Sequence, residues 1–296
     1  GKTNVKTFKK YLGNYNESRI KFLVTQDCED ELEEGEKLIK ELYDYVKDFK
    51  REPIPLNKLV IGYKCGGSDA FSGICANALC GRLTDRVTSF GTSAILTEVP
   101  EMFGAETLLM QRCENRETFD ECVDMINSFK QYFFSHNQEC YENPSPGNHD
   151  GGITTLEEKS LGCIQKGGKA IITDILKYGE HCKKPGLSLL TGPGNDIVSV
   201  TNLTAAGANI ILFTTGRGTP LGAPVPTVKI SSNSSLYRRK SNWIDFNAGE
   251  LINNRDFENI TEEILNLVIE VASGKKTKNE INSYRDISIF KDGVIM

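Results

Sequence analysis

Four segments of this chain share one pattern, in which an apolar run of strand length leads directly into a polar loop. The four are KLVIGYKC followed by Gly-Gly, VTSFGTSAILTEVPE, LSLLTGPGND and ANIILFTTGRGTP. Short apolar runs bounded by glycine-rich loops are typical of buried strands, because a strand covered on both faces does not alternate with polar residues. The pattern therefore predicts several buried strands that each end in a loop able to carry chemistry.

Helical periodicity fills the stretches between these segments. Apolar residues spaced three and four apart predict amphipathic helices, and the predicted ranges are residues 30–50, 116–135, 156–182 and 258–283. Strands that alternate with helices indicate the α/β class, a largely parallel sheet with helices on both faces in a Rossmann-like three-layer architecture. Ligands bind such sheets beyond the carboxyl ends of the strands, so we expect the loops to converge there in one polar cleft.

Two prolines mark a boundary near residue 53. The segment REPIPLN places Pro53 and Pro55 directly after the first predicted helix, and proline cannot continue a helix. We assign residues 1–52 to the helical end of a preceding domain or linker, and residues 53–296 to a second, larger domain. Because the chain begins at Gly1 without a methionine, we expect a cleaved tag or an excised piece of a longer protein.

Composition limits the partners and the compartment. The 296 residues carry a net charge of -5 with scattered basic residues, so no nucleic-acid partner is expected. No apolar run approaches the ~20 residues of a membrane span, and the first residues lack the apolar stretch of a signal peptide. Nine cysteines without a secretion signal indicate reduced thiols, which predicts a cytoplasmic protein without disulfides. None falls in a Cys-x-x-Cys pair, which disfavours a zinc ribbon.

Two loops carry candidate metal ligands. CGGSDAFSG holds Cys65 and Asp69 beside a glycine pair that lets the backbone approach a ligand closely. TEVPEMFGAE brings Glu98 and Glu101 into one short segment, and clustered carboxylates suit a divalent cation or acid-base chemistry. Both loops also have a structural interpretation, a helix N-cap for the first and helix-start acids behind a proline for the second.

The loop ENPSPGNHDGGITT is longer than a corner requires, since a turn takes about two to four residues. Asn143, Ser145 and Asn148 supply neutral hydrogen-bonding groups, and His149 supplies a side chain that titrates near neutral pH. The helix start that follows offers a place for an anionic oxygen. The alternative is an asparagine-rich turn that satisfies its own backbone.

A fourth loop, FTTGRGTPLGAPVPTVK, contains Thr215, Arg217 and Lys229. An arginine between two glycines is placed to bind a carboxylate through both terminal nitrogens, although an incidental surface charge would look the same. The loop lacks the Gly-Lys-Ser/Thr ending of a phosphate loop, and neither GxGxxG nor HExxH occurs in the chain. Nucleotide and zincin sites are therefore not indicated.

Together these motifs resemble the C-terminal region of the altronate and galactarate dehydratase family. The resemblance covers about residues 53 to 250 and rests on CGGSDAFSG, GTSAILTEVPEMFGAE, NPSPGNHDGGITTLEEKSLGC, LTGPGND, FTTGRGTPLGAPVPTVKISSN and WIDFNAG, in that order. It implies that residues 53–296 are a catalytic C-terminal domain. It also implies an upstream stretch, a separate small N-terminal domain or subunit, and a homodimer.

The resemblance implies a hydro-lyase that removes water from a sugar acid, such as altronate or galactarate, to give a 2-keto-3-deoxy acid. The family's metal is typically Fe(II) or Mn(II), with Cys65, Asp69, Glu98 and Glu101 as candidate ligands. His149 is the candidate base and Lys159 the candidate acid for moving protons next to a carboxylate. The candidate substrate-binding residues are Asn143, Ser145, Asn148, Thr215, Arg217 and Lys229, of which the last two would clamp the carboxylate.

Three other interpretations stay open at this point. A sulfolactate lyase large subunit uses similar loops on a sulfonated hydroxy acid. The chain would instead be inert if it lacks an upstream part of the active site. A module that only binds organic acids would need the clamp but no base.

Overall fold

The structure is a computed structural model that describes residues 4–253 and 255–295. The chain divides into two compact units, Gly1–Pro53 and Ile54–Met296. In the first unit, helix α1 spans Val5–Leu12 and helix α2 spans Glu31–Val46. The carboxylate of Asp30 caps α2 by accepting hydrogen bonds from the backbone amides of Leu32 and Glu33. The helix predicted over residues 30–50 is thus confirmed, with a shorter C-terminal end.

The second unit is built on one sheet of seven strands, all parallel, in the order β3-β4-β2-β1-β5-β6-β7. This confirms the predicted α/β class and parallel sheet. The strands are β1 (Val60–Cys65), β2 (Ser93–Leu96), β3 (Ile172–Leu176), β4 (Gly186–Leu190), β5 (Ile210–Thr215), β6 (Thr227–Ser231) and β7 (Phe246–Asn247).

Helices cover both faces of this sheet and complete three layers. The helices of this unit are α3 (Ala76–Ser89), α4 (Glu106–Met110), α5 (Arg116–Ser135), α6 (Pro146–Asp150), α7 (Leu156–Ile164), α8 (Asp196–Ala205), α9 (Ser234–Arg239), α10 (Phe257–Ala272) and α11 (Lys278–Ile281). None of the helices in residues 4–253 and 255–295 is long and apolar enough to cross a membrane.

Alternation along the central strands divides the core between the two faces. Ile210 and Leu212 of β5 belong to the larger apolar cluster, which α3, α5 and α10 also build. Ile211 and Phe213 point the other way, into a smaller cluster that contains residues of α8. Because successive side chains of a strand point to opposite faces, an apolar run with no polar member fits a strand buried on both sides.

One predicted helix is wrong over half of its length. The helix expected over residues 156–182 ends with α7 and one 3-10 turn, Gln165–Gly167, and the chain then forms β3. Gly168 adopts a positive φ of 53° directly after that turn, a backbone conformation that ends helices and favours glycine. The helical spacing of apolar residues therefore continued through a strand of only five residues, which the sequence prediction missed. The tail helix also breaks into α10 and α11.

The strand order places a switch point at the centre of the sheet. From β1 the chain first builds the side that holds β2, β4 and β3, and it then returns to the other side of β1 with β5. Loops that leave neighbouring strands in opposite directions open a crevice at the carboxyl edge, which is where ligands bind in such sheets. The loops after β1 and β5 flank this crevice.

Candidate active site

Backbone hydrogen bonds tie the predicted loops together at the carboxyl edge of the sheet. The amide of Gly216 donates to the carbonyl of Gly67 at 3.0 Å, which joins the loop after β5 to the loop after β1. The amide of Ala70 donates to the carbonyl of Gly151 at 2.9 Å, which adds the loop of residues 142–155. The predicted convergence of the loops at one edge is therefore confirmed.

A cavity of about 500 Å³ opens beside these contacts. The loop after β1 contributes Ser68 and Asp69 to its wall, and α7 contributes Lys159 and Cys163. Thr155, Glu157, Glu158, Asn77 and Gln165 add further polar groups to the lining. A cavity of this size, with convergent polar groups, is the usual form of a small-molecule site.

Behind the cavity lies a buried group of charged and sulfur-containing side chains, which we call the Cys65 group. Cys65 Sγ lies 2.9 Å from Glu101 Oε2, 2.9 Å from Lys166 Nζ and 3.5 Å from Cys163 Sγ. Lys159 Nζ lies 3.1 Å from Glu101 Oε1 and donates to Ser68 Oγ at 3.2 Å. Lys159 and Cys163 thus connect the cavity to the Cys65 group.

Burial and nearby charges set the protonation of the Cys65 group. The hydrogen bond from Cys163 lowers the pKa of the Cys65 thiol to about 5, against the opposing effect of burial. Burial disfavours ionisation of Glu101, but Lys159 and two further lysines outweigh it and hold the pKa of this carboxyl below its usual range. Burial also disfavours charged Lys159, but surrounding anions outweigh it and raise its pKa. These shifts favour the charged forms of Cys65, Glu101 and Lys159.

Glu98 is a second carboxylate in contact with the Cys65 group. Its backbone adopts the left-handed conformation with φ 72°, which is uncommon for a residue with a Cβ. Its carboxylate accepts a hydrogen bond from the amide of Cys65 at 3.0 Å and contacts the ammonium groups of Lys64 and Lys166. Surrounding contacts of this kind are what retain a strained residue near a functional site. Glu98 therefore serves as the partner of two lysines.

Asp69 joins its own loop to the segment that follows β6. Its carboxylate accepts hydrogen bonds from Ser72 Oγ at 2.9 Å, from Ser232 Oγ at 2.7 Å and from Asn233 Nδ2 at 3.0 Å. A Cβ on Gly216 would collide with this carboxylate, so the loop after β5 needs glycine there. Asp69 lines the cavity but lies outside the group of three residues whose donor atoms come close enough to share one ion.

That group consists of Cys65, Glu101 and Cys163. Within residues 4–253 and 255–295, these three form the one cluster of histidine, cysteine or carboxylate ligands whose donor atoms lie within 4.8 Å of one another. The cluster contains two of the four predicted metal ligands, Cys65 and Glu101, and adds Cys163. The predictions that Asp69 and Glu98 are ligands have no support from this geometry.

Two polar side chains of the loop of residues 142–155, Ser145 and Asn148, form hydrogen bonds that hold the loop in place. Ser145 caps α6, and the amide and hydroxyl of Ser145 donate to Asn148 Oδ1 at 3.1 and 3.0 Å. Asn148 Nδ2 donates to the carbonyl of Ser68 at 3.0 Å. His149 is exposed, Asn143 is half-buried, and neither lines the cavity. Their predicted roles in catalysis and binding stay predictions.

The loop after β5 places its three candidates in different surroundings. Thr215 is buried, and its hydroxyl accepts a hydrogen bond from the amide of Gly218 at 2.9 Å. Arg217 is exposed and lies 3.8 Å from Asp150. Lys229 lies on β6 inside the domain, where its Nζ sits 3.3 Å from the ring centroid of Phe213. A direct contact of Lys229 with a ligand in the cavity is not part of this geometry.

Lys229 leads to a stability prediction, because its Nζ is buried with no hydrogen-bond partner among the described residues. Burial lowers its pKa to about 7 from an ordinary 10.5. We expect Lys229→Met to raise the free energy of unfolding at pH 7 by about 1–4 kcal/mol, since an apolar side chain needs no partner. Urea denaturation of both proteins measures the difference.

The pH dependence of that gain provides a control. Between pH 7 and 10.5 the unfolded chain binds more protons at Lys229 than the folded chain does, so wild-type stability rises with pH in this window. The advantage of the methionine variant should therefore be largest below pH 7 and shrink towards pH 10.5. A variant that is less stable than wild type at pH 7 would show that the buried amine has a stabilising partner.

Sequence reasoning missed Cys163, Lys166 and Lys64, although a signal for two of them exists. Lys159, Cys163 and Lys166 are spaced four and three residues apart, so they share one side of α7 and the turn after it. Two lysines and a cysteine on one buried helix face are an unusual combination. This pattern would have pointed to Cys163 and Lys166. Lys64 was hidden inside the apolar run of β1.

Comparison with known proteins identifies the family of the chain. Residues 56–295 match the family described as D-galactarate/Altronate dehydratase, C-terminal. The chain belongs to this family. It is 55% identical over 289 residues to an altronate dehydratase of Bacillus subtilis (strain 168), and 50% identical over 292 residues to an altronate dehydratase of Escherichia coli (strain K12). It is 36% identical over 229 residues to the galactarate dehydratase (L-threo-forming) of Escherichia coli (strain K12).

Each alignment covers most of this chain but a smaller share of the relative. They take in 97%, 99% and 77% of this chain, but 58%, 59% and 44% of the respective relatives. The chain therefore spans less than two thirds of the length of the altronate dehydratases that it matches. The cavity and the Cys65 group lie entirely within the part that matches the family.

Proposed function

We propose that this chain carries the dehydration site of a sugar-acid hydro-lyase that converts an aldonate or aldarate to a 2-keto-3-deoxy acid. The observation that carries the proposal is the cavity whose wall includes Lys159 and Cys163, both of which belong to the buried Cys65 group. The names of the relatives, altronate and galactarate dehydratase, supply the substrate class.

Cys65, Glu101 and Cys163 would hold the divalent metal that this family implies. Two sulfur atoms and one carboxylate fit Fe(II), and they fit Mn(II) less well because Mn(II) prefers oxygen ligands. When bound, such a metal stabilises negative charge that develops on the substrate's oxygen atoms. The fit rests on the donor atoms, which lie within 4.8 Å of one another in a buried pocket.

The side chains of the cavity have separate tasks in this reaction. The Lys159 ammonium, held by Glu101 and Ser68, faces the substrate and can stabilise a carboxylate or donate a proton to the departing hydroxyl. The buried Cys65 group excludes water behind it, which strengthens that interaction. His149 stays the candidate base, since its neighbours Asn148 and Gly151 bond to residues of the cavity wall.

Metal binding provides a direct prediction for the purified protein. We expect wild type to bind about one Fe(II) per chain under anaerobic conditions, and Cys65→Ala to weaken that binding at least tenfold, because a thiolate ligand is lost. Equilibrium dialysis with metal analysis measures both. Cys122→Ala is the matched control, since Cys122 is a buried cysteine of the main apolar core. Equal Fe(II) binding by Cys65→Ala and wild type would contradict the assignment.

The proposed activity is tested by the product. Incubating the protein and Fe(II) with a panel of aldonates and aldarates should yield a 2-keto acid, detected by its reaction with a hydrazine reagent. Sulfite release from sulfolactate in a parallel assay would instead favour the sulfolactate lyase alternative. Binding of sugar acids without any product would favour a binding module or an incomplete site.

The same proposal includes the cellular location and the protein partners of the chain. We infer a cytoplasmic location from the nine free thiols, which a reducing compartment maintains. A homodimer and an additional N-terminal domain or subunit follow from the family resemblance. Light scattering after size-exclusion chromatography tests the dimer.

A further inference from the structure

We propose that Cys65 and Cys163 are a modification site at which peroxide forms a reversible disulfide that blocks the proposed metal site. The two Sγ atoms lie 3.5 Å apart, and both side chains are buried. A disulfide bond is about 2.05 Å long, so the sulfurs need to approach by only about 1.5 Å. The bond does not depend on the proposed function, but its consequence for metal binding and turnover does.

The fold brings these two cysteines together by an unusually close packing of α7 on the loop after β1. A Cβ on Gly73 would lie 2.9 Å from the Cα of Gly162, so the two glycines allow the backbones to touch. Cys163 follows Gly162 directly, and Cys65 ends β1 immediately before that loop. The sulfur pair is therefore held by backbone contacts on both sides.

Peroxide has a route to this pair. Cys163 lines the cavity of about 500 Å³, which is far larger than a peroxide molecule. Cys65 Sγ lies 3.5 Å from Cys163 Sγ, within reach of a sulfenic acid formed there.

The oxidation balances with hydrogen peroxide as the only co-reactant. The sulfur of the first thiolate attacks one peroxide oxygen, the O–O bond breaks, and the other oxygen leaves as hydroxide and takes up a proton to form water. The second sulfur, after losing its proton, attacks the resulting sulfenic sulfur, the S–O bond breaks, and a second water leaves. Two thiols are oxidised to one disulfide while peroxide is reduced to two waters.

The disulfide and a metal ion compete for the same atoms. Both sulfurs of the Cys65–Glu101–Cys163 cluster would be lost as thiolate ligands, and only the carboxylate of Glu101 would remain. A bound metal should in turn protect the thiols from peroxide. Oxidation of the metal-free site would thus prevent metal binding, and thiol reductants would restore it.

The test counts thiols by mass and does not need turnover. Reduced, metal-free protein is treated with a small excess of hydrogen peroxide, unfolded, alkylated and mapped by peptide mass spectrometry. We expect two fewer alkylated thiols than the nine of the reduced protein, a peptide pair linked through Cys65 and Cys163, and full recovery after dithiothreitol. Preloading with Zn(II), which does not react with peroxide, should slow the linkage at least tenfold.

Variants separate this bond from other oxidation. Cys163→Ala, or Cys163→Ser if the alanine variant does not fold, should lose the linkage at Cys65. Cys122→Ala should keep the linkage between Cys65 and Cys163. That result would exclude Cys113 and Cys122, the other neighbouring pair of thiols, as the source of the two lost thiols. Alkylation of both Cys65 and Cys163 after peroxide, or their conversion to sulfinic acids without linkage, would overturn the proposal. An unchanged rate with Zn(II) would overturn the competition with metal. Failure of the dehydration assay would leave these masses unaffected.

Discussion

Replacing Lys159 with methionine is expected to lower kcat for sugar-acid dehydration by about a hundredfold to ten-thousandfold, the usual contribution of a positioned acid. Lys159 is the one lysine or arginine among the described residues that line the cavity. Methionine keeps the apolar stem of the side chain but removes the ammonium group that lies 3.1 Å from Glu101. Steady-state kinetics on the substrate found by the product assay measures the loss.

Two comparisons make this result specific. Lys130→Met removes a lysine that pairs with Glu106 at 2.6 Å outside the cavity, so its kcat should stay near that of wild type. His149→Ala should lose as much activity as Lys159→Met if His149 is the base, whereas near-normal turnover would reject His149. A Lys159→Met variant that folds and retains wild-type kcat would remove Lys159 from the mechanism.

Replacing Asp69 with alanine is expected to destabilise the second unit by about 3 kcal/mol, because each buried donor left without its acceptor costs about 1–3 kcal/mol. The donors are Ser72, in the same loop as Asp69, and Ser232 and Asn233, which follow β6. Water from the cavity can replace part of the lost bonding, which limits the total. Urea denaturation followed by circular dichroism measures the change.

The same position separates a structural acid from a metal ligand. Asp69→Asn keeps one oxygen that accepts from the serine hydroxyls, so it should recover part of the stability lost in Asp69→Ala. If Asp69 only joins loops, the asparagine variant should bind Fe(II) as wild type does. Loss of Fe(II) binding in a folded Asp69→Asn protein would instead return Asp69 to the ligand set.

The sequence predicted the fold correctly where a pattern of apolar residues extended over many positions. The helix over residues 116–135 matches α5, whose apolar stripe extends over 20 residues. The central strands β1 and β5 were also visible, because a strand covered on both faces is apolar without interruption. Strand β3 was missed, since ITDIL has only five residues, carries two polar residues at its centre and continues a helical pattern.

The site was predictable in part, for a similar reason. Cys65 and Glu101 each follow an apolar strand, so their place at the carboxyl edge could be read from the chain. Cys163 could not be paired with Cys65 from the sequence, because their contact depends on how α7 packs against the loop after β1. Whether a carboxylate faces a ligand or its own protein is likewise a tertiary property, as Asp69 and Glu98 show.

Crystallography with iron anomalous scattering tests the central claim most directly, namely that sugar acids react at the cavity beside the Cys65–Glu101–Cys163 cluster. Crystals would be soaked without oxygen in Fe(II) and a 3-deoxy aldonate, which cannot lose the hydroxyl that dehydration removes. We predict one anomalous peak among Cys65 Sγ, Cys163 Sγ and the carboxylate of Glu101, with the sugar acid in the cavity near Lys159 Nζ. An iron peak and a sugar acid bound at another place, with the Cys65 group unchanged, would contradict the account.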